Sequence, residues 1–154
     1  MAAEMANIFG DFRRVLLSAL DDLAAEGALP AGLDFARVAV EPPRDPAHGD
    51  LASNAAMVLA GAVKQNPMAL AERIAAALAG RELVTGDYRG SGFSVAAARP
   101  GFLNIKLDPA VWHAQLRAIL QAGTAYGEST IGGEFTVEIR LPASKLHANF
   151  MVPV

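Results

Sequence analysis

The chain contains no cysteine among its 154 residues, which excludes disulfides, thiolate metal sites and cysteine nucleophiles. Its histidines, His48, His113 and His147, are too scattered for metal-ligand spacing, so a metal site is not expected. No apolar run approaches the ~20 residues that cross a bilayer. The N-terminus, MAAEMANIFGDFRR, lacks the basic start and small-residue cleavage site of a secretory signal, which points to a cytoplasmic protein with no membrane partner. An excess of positive charge is missing as well. The formal net charge is −3, whereas gripping nucleic acid by phosphate neutralisation alone requires clustered Lys and Arg. Any nucleic-acid contact must therefore be local.

What is abundant is apolar material, 53% of the residues, enough to bury the core of one compact domain. From Asn7 the residues Ile8, Phe9, Phe12, Val15, Leu16, Ala19, Leu20 and Leu23 recur at helical spacing, with Asn7 as N-cap and Gly27 as stop. Residues 35–40 alternate around Arg37 and run into Pro42-Pro43, the pattern of a strand that cannot continue its ladder. Asp50 or Ser53 then caps a predicted helix over residues 51–65, whose Leu51, Ala55, Val58, Leu59, Ala62 and Val63 share one face. Asn66-Pro67 opens another helix, with Leu70, Ile74, Ala77 and Leu78 as its buried stripe up to Gly80.

Residues 81–92 read as a polar, glycine-containing connection, and 93–98 and 102–107 as a hairpin turned by Arg99-Pro100-Gly101. Asp108-Pro109 starts a last helix in which Val111, Trp112, Leu116, Ile119 and Leu120 are the apolar positions, ending near Gly123. The expected class is α+β: a small, mostly antiparallel sheet packed against amphipathic helices in the order α-β-α-α-β-β-α, then a further strand. A domain over 1–122, a Gly/Thr/Ser linker at 123–133, and a segment 134–154 that starts a next domain or is a non-native tail complete the organisation.

The loop EPPRDPAHGDL gathers Glu41, Arg44, Asp45, His48 and Asp50 within ten residues. These are acid–base residue types, yet no nucleophile, oriented base or oxyanion donor set accompanies them, so no catalytic residue is assigned. Structurally, proline stiffens the turn, Gly49 permits a tight approach and Asp50 satisfies helix-start amides. A stiff exposed turn also suits recognition, because less entropy is lost on docking. On the second hairpin strand Phe102, Asn104 and Lys106 share one face and Leu103, Ile105 and Leu107 the other. An aromatic, an amide and an ammonium side by side can stack on and hydrogen-bond a splayed base of single-stranded RNA; the alternative is an ordinary half-exposed strand. Trp112 and Tyr126 are read as core or boundary residues.

AHGDLASNAAMVLA, then KQNPMALAERIA, then RPGFLNIKL with its following Asp-Pro and Trp, resembles the N-terminal additional domain of bacterial arginyl-tRNA synthetases. The residues that carry the likeness are His48, Gly49, Asp50 and Asn54, then Asn66, Pro67, Leu70 and Ala71, then Gly101, Phe102 and Asn104, in order along residues 7 to about 139. His48 stands where many members have Phe, and Leu51-Ala52 where some have Tyr-Gln. The resemblance implies a domain that binds the D-loop of tRNA(Arg) and positions it for arginylation by a catalytic domain using ATP with Mg, a domain not contained in this sequence. It implies no cofactor for this segment, no ligase activity of its own, and two partners, tRNA(Arg) and the rest of the synthetase chain. The expected nucleic-acid-binding residues are Arg44, His48, Asp50, Asn54, Phe102, Asn104 and Lys106. The family's ATP-binding His-x-Gly-His signature is not met: after Leu146-His147 come Asn149 and Phe150, and the tail from about Arg140 reads as altered. The competing expectation is a protein-interaction or small-ligand-binding α+β module. Gathering of Arg37, Arg44, Lys64, Arg99 and Lys106 on one face favours RNA over that alternative.

Overall fold

The computed structural model describes residues 7–127. Helix α1 (Ile8–Ala25) starts at Asn7, which is extended and whose Oδ1 accepts from the amides of Phe9 at 3.2 Å and Gly10 at 3.5 Å. That satisfies two of the amides a helix start leaves without partners. Ile8, Phe12, Leu16, Ala19, Leu20 and Leu23 form its buried stripe. Helices α2 (Ala55–Val63) and α3 (Pro67–Leu78) follow. Asn66 caps α3 by accepting from Met68 N at 2.8 Å and Ala69 N at 3.4 Å, with Pro67 in the first turn.

Four strands, β1 (Val40–Glu41), β2 (Leu51–Ser53), β5 (Phe93–Ala98) and β6 (Phe102–Leu107), make an antiparallel sheet in the order β1-β2-β6-β5. A separate hairpin pairs β3 (Leu83–Thr85) with β4 (Tyr88–Gly90), and α4 (Pro109–Ala122) ends this body. One sheet face contributes Leu51, Leu103 and Ile105 to a core completed by Phe12, Leu16, Leu20, Leu59, Leu70, Ile74 and Leu78 from the helices, all essentially inaccessible. Phe93 meets Phe12 edge to face, ring centroids 5.1 Å apart. The architecture is the expected α+β layout of a small antiparallel sheet and amphipathic helices.

Several local expectations are corrected. The strand at 35–40 shrinks to Val40–Glu41, because residues 35–38 form a turn closed by Val38 N donating to Phe35 O at 3.0 Å. The Arg13 guanidinium holds that turn to α1 through Val38 O at 2.9 Å and Phe35 O at 3.2 Å. The helix expected from residue 51 begins at Ala55, since residues 51–53 pair with β6. Asp50 therefore caps no helix: its amide donates to Ile105 O at 2.8 Å and its carboxylate accepts from Leu107 N at 2.7 Å. Ser53 does serve the start of α2, accepting from Ala55 N at 3.3 Å while donating to Ala39 O at 2.8 Å.

The connection at 81–92 contains the β3–β4 hairpin, turned by Gly86 and Asp87 with Gly86 at a φ of +57°. Thr85 lies buried behind it, donating to Asp11 Oδ2 at 2.5 Å and accepting from the Gln115 amide, while Arg14 pairs with the other Asp11 oxygen. Gln115 reaches Thr85 from the inner side of α4, beside buried Val111 and Ala114. On the other side of α4, Trp112, Leu116 and Leu120 face outward at 37%, 56% and 79% exposure. Of the two placements expected for Trp112 and Tyr126, core or boundary, their exposures of 37% and 40% fit the boundary. Of the segment from 123, a 3-10 turn at Gly123–Ala125 is described; the strand expected after 133 and the tail lie outside the described residues.

Candidate nucleic-acid interface

The proline-rich loop between β1 and β2 is tied down at three points. Pro42-Pro43 follows β1 and ends its pairing. Asp45 then caps a single 3-10 turn, Pro46–His48, through Ala47 N at 2.9 Å. At Gly49, φ is +113°, and a Cβ there would lie 2.6 Å from Ile105 O, so only glycine can pass this close to β6. Asp50 then clamps the chain to Ile105 and Leu107, as above. The clamp leaves Arg44 and His48 displayed on the rim of the sheet's outer face.

On that face a groove of about 820 Å³ opens. Ala52 and Asn104, paired across β2 and β6, lie among its lining residues together with Arg37 and Pro43 from the β1 side and Met57 from α2. The tip of the β5–β6 hairpin supplies Ala98, Arg99 and Phe102. This tip turns through a cis Arg99–Pro100 peptide and presses on the start of α3: a Cβ on Gly101 would sit 2.7 Å from Pro67 Cβ. Phe102 opposes Ala98 in the ladder and is 38% exposed, an aromatic presented to solvent on a rigid strand.

Five of the seven expected residues, Arg44, His48, Asn54, Phe102 and Asn104, line this one groove. Asp50 does not; its carboxylate holds Leu107 N. Lys106 is exposed beyond the lining, opposite Ser94. Asn54 lines the groove but its amide is committed to backbone, accepting from Ala39 N at 2.9 Å and donating to Arg37 O at 3.2 Å. It thereby fixes the segment that carries Arg37. Sequence reasoning missed Met57, which is 41% exposed and has no local signal that marks it. Arg37 and Arg99 carried only a charge-clustering criterion, and the folded chain brings both to the groove with Arg44, though not Lys64 or Lys106.

The electrostatic balance of the lining is opposite to that of the chain. Arg37, Arg44 and Arg99 face one acidic residue, Glu41, and none of the three arginines enters an ion pair among the described residues. Unpaired guanidiniums beside an exposed aromatic and apolar Met57, Val58 and Ala52 offer phosphate contacts and a stacking surface together. No group of His, Asp and Glu among the described residues is placed to hold a metal ion, and no described helix is long and apolar enough to cross a membrane.

The model of the arginyl tRNA synthetase N terminal domain family matches residues 11–107. Arginine–tRNA ligase of Parvibaculum lavamentivorans is 49% identical over 133 residues, 86% of this chain and 21% of that protein. Arginine–tRNA ligase of Cereibacter sphaeroides is 46% identical over 145 residues, 92% of this chain and 24% of that one. That of Rhodopseudomonas palustris is 52% identical over 117 residues, 76% and 18% of the respective chains. The chain spans about a fifth to a quarter of the length of these relatives. A matched core from α1 through β6, together with near half-identity to several ligases, means that the chain belongs to the arginyl-tRNA synthetase N-terminal domain family.

Proposed function

We propose that this chain is the tRNA-recognising domain of an arginine–tRNA ligase, and that the groove between the proline-rich loop and the β5–β6 tip receives unpaired nucleotides of the D-loop of tRNA(Arg). The observation that carries this reading is the concentration around an exposed Phe102 of three arginines without an ion pair among the described residues, in a chain of net charge −3. Phe102 supplies a stacking platform, on the order of 1–3 kcal/mol per base. Arg37, Arg44 and Arg99 supply local phosphate contacts, and the Asn104 amide lies at the groove for a base edge.

These energies are too small for tight binding by the domain alone. Within a full-length ligase they act intramolecularly, once other parts hold the tRNA, and modest contacts then count at high effective concentration. Arginylation with ATP and Mg belongs to the part of the ligase outside this chain; the domain contributes position. In a full-length ligase carrying this sequence, Phe102→Ala is expected to raise the tRNA KM by on the order of 10-fold, as loss of about 1.4 kcal/mol of stacking requires. The KM values for arginine and ATP should stay put. An unchanged tRNA KM in a correctly folded Phe102→Ala enzyme would refute the groove's role and favour a protein-interaction or small-ligand module. This chain alone should show no arginylation.

A further inference from the structure

We infer that the outward stripe of α4, Trp112, Leu116 and Leu120, is the surface on which the remainder of a full-length arginine–tRNA ligase docks. The three residues recur at i, i+4 and i+8, so they form one continuous line along the helix. The opposite side of α4 is already buried through Val111, Ala114 and Gln115. Beside exposed His113, Arg117 and Gln121 the stripe is a continuous apolar line, and contiguous exposed apolar surface marks an interaction site. Val111, Ala114 and Gln115, the last bonded to buried Thr85, already occupy the inner side and leave the stripe facing out, with Arg117 bonded to Asp87 at 2.8 and 3.0 Å.

The chemistry of the stripe selects its occupant. Arg117 is the one Lys or Arg side chain on α4 and is engaged by Asp87, so the surface has little to offer phosphate. A patch of three side chains falls well short of the roughly 800 Å² per partner that stable association of separate molecules buries, which disfavours a second copy. A body tethered in the same polypeptide needs far less area, because its effective concentration is already on the order of millimolar. Such a body exists in the relatives: the matched residues are 21% and 24% of two of them, leaving more than three quarters of each outside the match. The inference rests on membership in a longer ligase and is independent of what the groove binds.

The test is hydroxyl-radical footprinting of Trp112 in the full-length ligase without tRNA, compared with this chain alone, alongside the double variant Leu116→Glu/Leu120→Glu in both. Trp112 should oxidise at least about fivefold more slowly in the full-length enzyme. The double variant should lower the melting temperature of the full-length enzyme by several degrees and leave that of this chain, where the stripe is exposed, unchanged. Equal oxidation of Trp112 in both proteins would overturn the inference, as would protection that appears only when tRNA is added or that grows with the concentration of this chain alone. An unaltered tRNA KM in Phe102→Ala would leave this inference standing, and equal Trp112 oxidation would leave the groove reading standing.

Discussion

Strand β6 has two faces that do different work. Leu103, Ile105 and Leu107 point into the core, the first two wholly inaccessible and the third nearly so, while Phe102, Asn104 and Lys106 on the other side are exposed or half-buried. The period of two that makes a strand places the core set and the set proposed for recognition a single residue apart. The inner face packs against α2 and α3, in the same core that Phe12, Leu16 and Leu20 of α1 enter. The outer face is almost free of folding duties, and the charges and aromatic around it can be chosen for a partner. A surface backed by the core is held rigid, which suits the outer face to the role proposed for it.

The largest break in that comparison comes from the inner face. Ile105→Ala should destabilise folding by about 2–5 kcal/mol, the usual cost of a core cavity, and any loss of tRNA binding should track the unfolded fraction seen in urea titration. Gly49→Ala comes next. The positive φ alone is worth about 1–3 kcal/mol of strain for a side-chain-bearing residue, and Ile105 O cannot retreat because it accepts the Asp50 amide. Its melting temperature should fall by several degrees.

Asn54→Ala sits on the boundary between the two faces. It strips the partners from Ala39 N and Arg37 O, so stability should drop by about 1–3 kcal/mol and the tRNA KM should rise with it. Phe102→Ala, by contrast, strips no backbone partner and should cost folding on the order of 1 kcal/mol, the share of the ring that is covered, while the tRNA KM rises by more than that loss explains. A chemical denaturation series on both variants separates the two patterns.

The smallest effect belongs to the exposed hairpin. Hydrogen bonding to Arg117 lowers the Asp87 carboxyl from its ordinary value. A carboxyl held low in the folded state adds stability that is fully present above the unfolded pKa and is lost as pH falls through the folded one. Asp87→Asn should therefore leave the acid side of the stability profile slightly flatter, with little change in binding. Thermal melts between pH 2 and pH 7 would show it.

Helices α1 and α3 are legible in the sequence because their start signals are local: Asn7 and Asn66 each bond amides two and three residues on. The β5–β6 hairpin is legible because its alternation survives intact and its two faces differ in polarity. Strand β2 is not, since Leu51 and Ala55 fit a helical face equally well and the deciding bonds come from Ile105 and Leu107, more than fifty residues away. The β3–β4 hairpin hides in a polar stretch, although Gly86-Asp87 is a two-residue turn signal. Trp112, Leu116 and Leu120 look like core because apolarity says nothing about which of two apolar faces a helix turns inward; Val111, Ala114 and Gln115 turn inward instead, where Gln115 meets buried Thr85.

The site is legible to a similar depth. The loop and the β6 face are both visible as candidate surfaces, and the fold joins them across β2. What stays hidden is which polar residues are already in use: Asp50 and Asn54 look available in sequence and are committed to backbone in the folded chain. Arg37 and Arg99 stand sixty-two positions apart and meet only through tertiary structure.

The central claim is that the outer face of β6 with its arginine rim binds RNA, and a salt-dependent tRNA titration of this chain tests it most directly. Binding to tRNA(Arg) should be weak, with log K falling against log salt at a slope of about −2, as three phosphate contacts imply at ~0.7 per contact. Arg44→Ala and Arg99→Ala should each reduce that slope, and Phe102→Ala should weaken binding at every salt concentration without altering it. A folded chain that fails to bind tRNA at low salt, or whose slope is indifferent to both arginines, would contradict it.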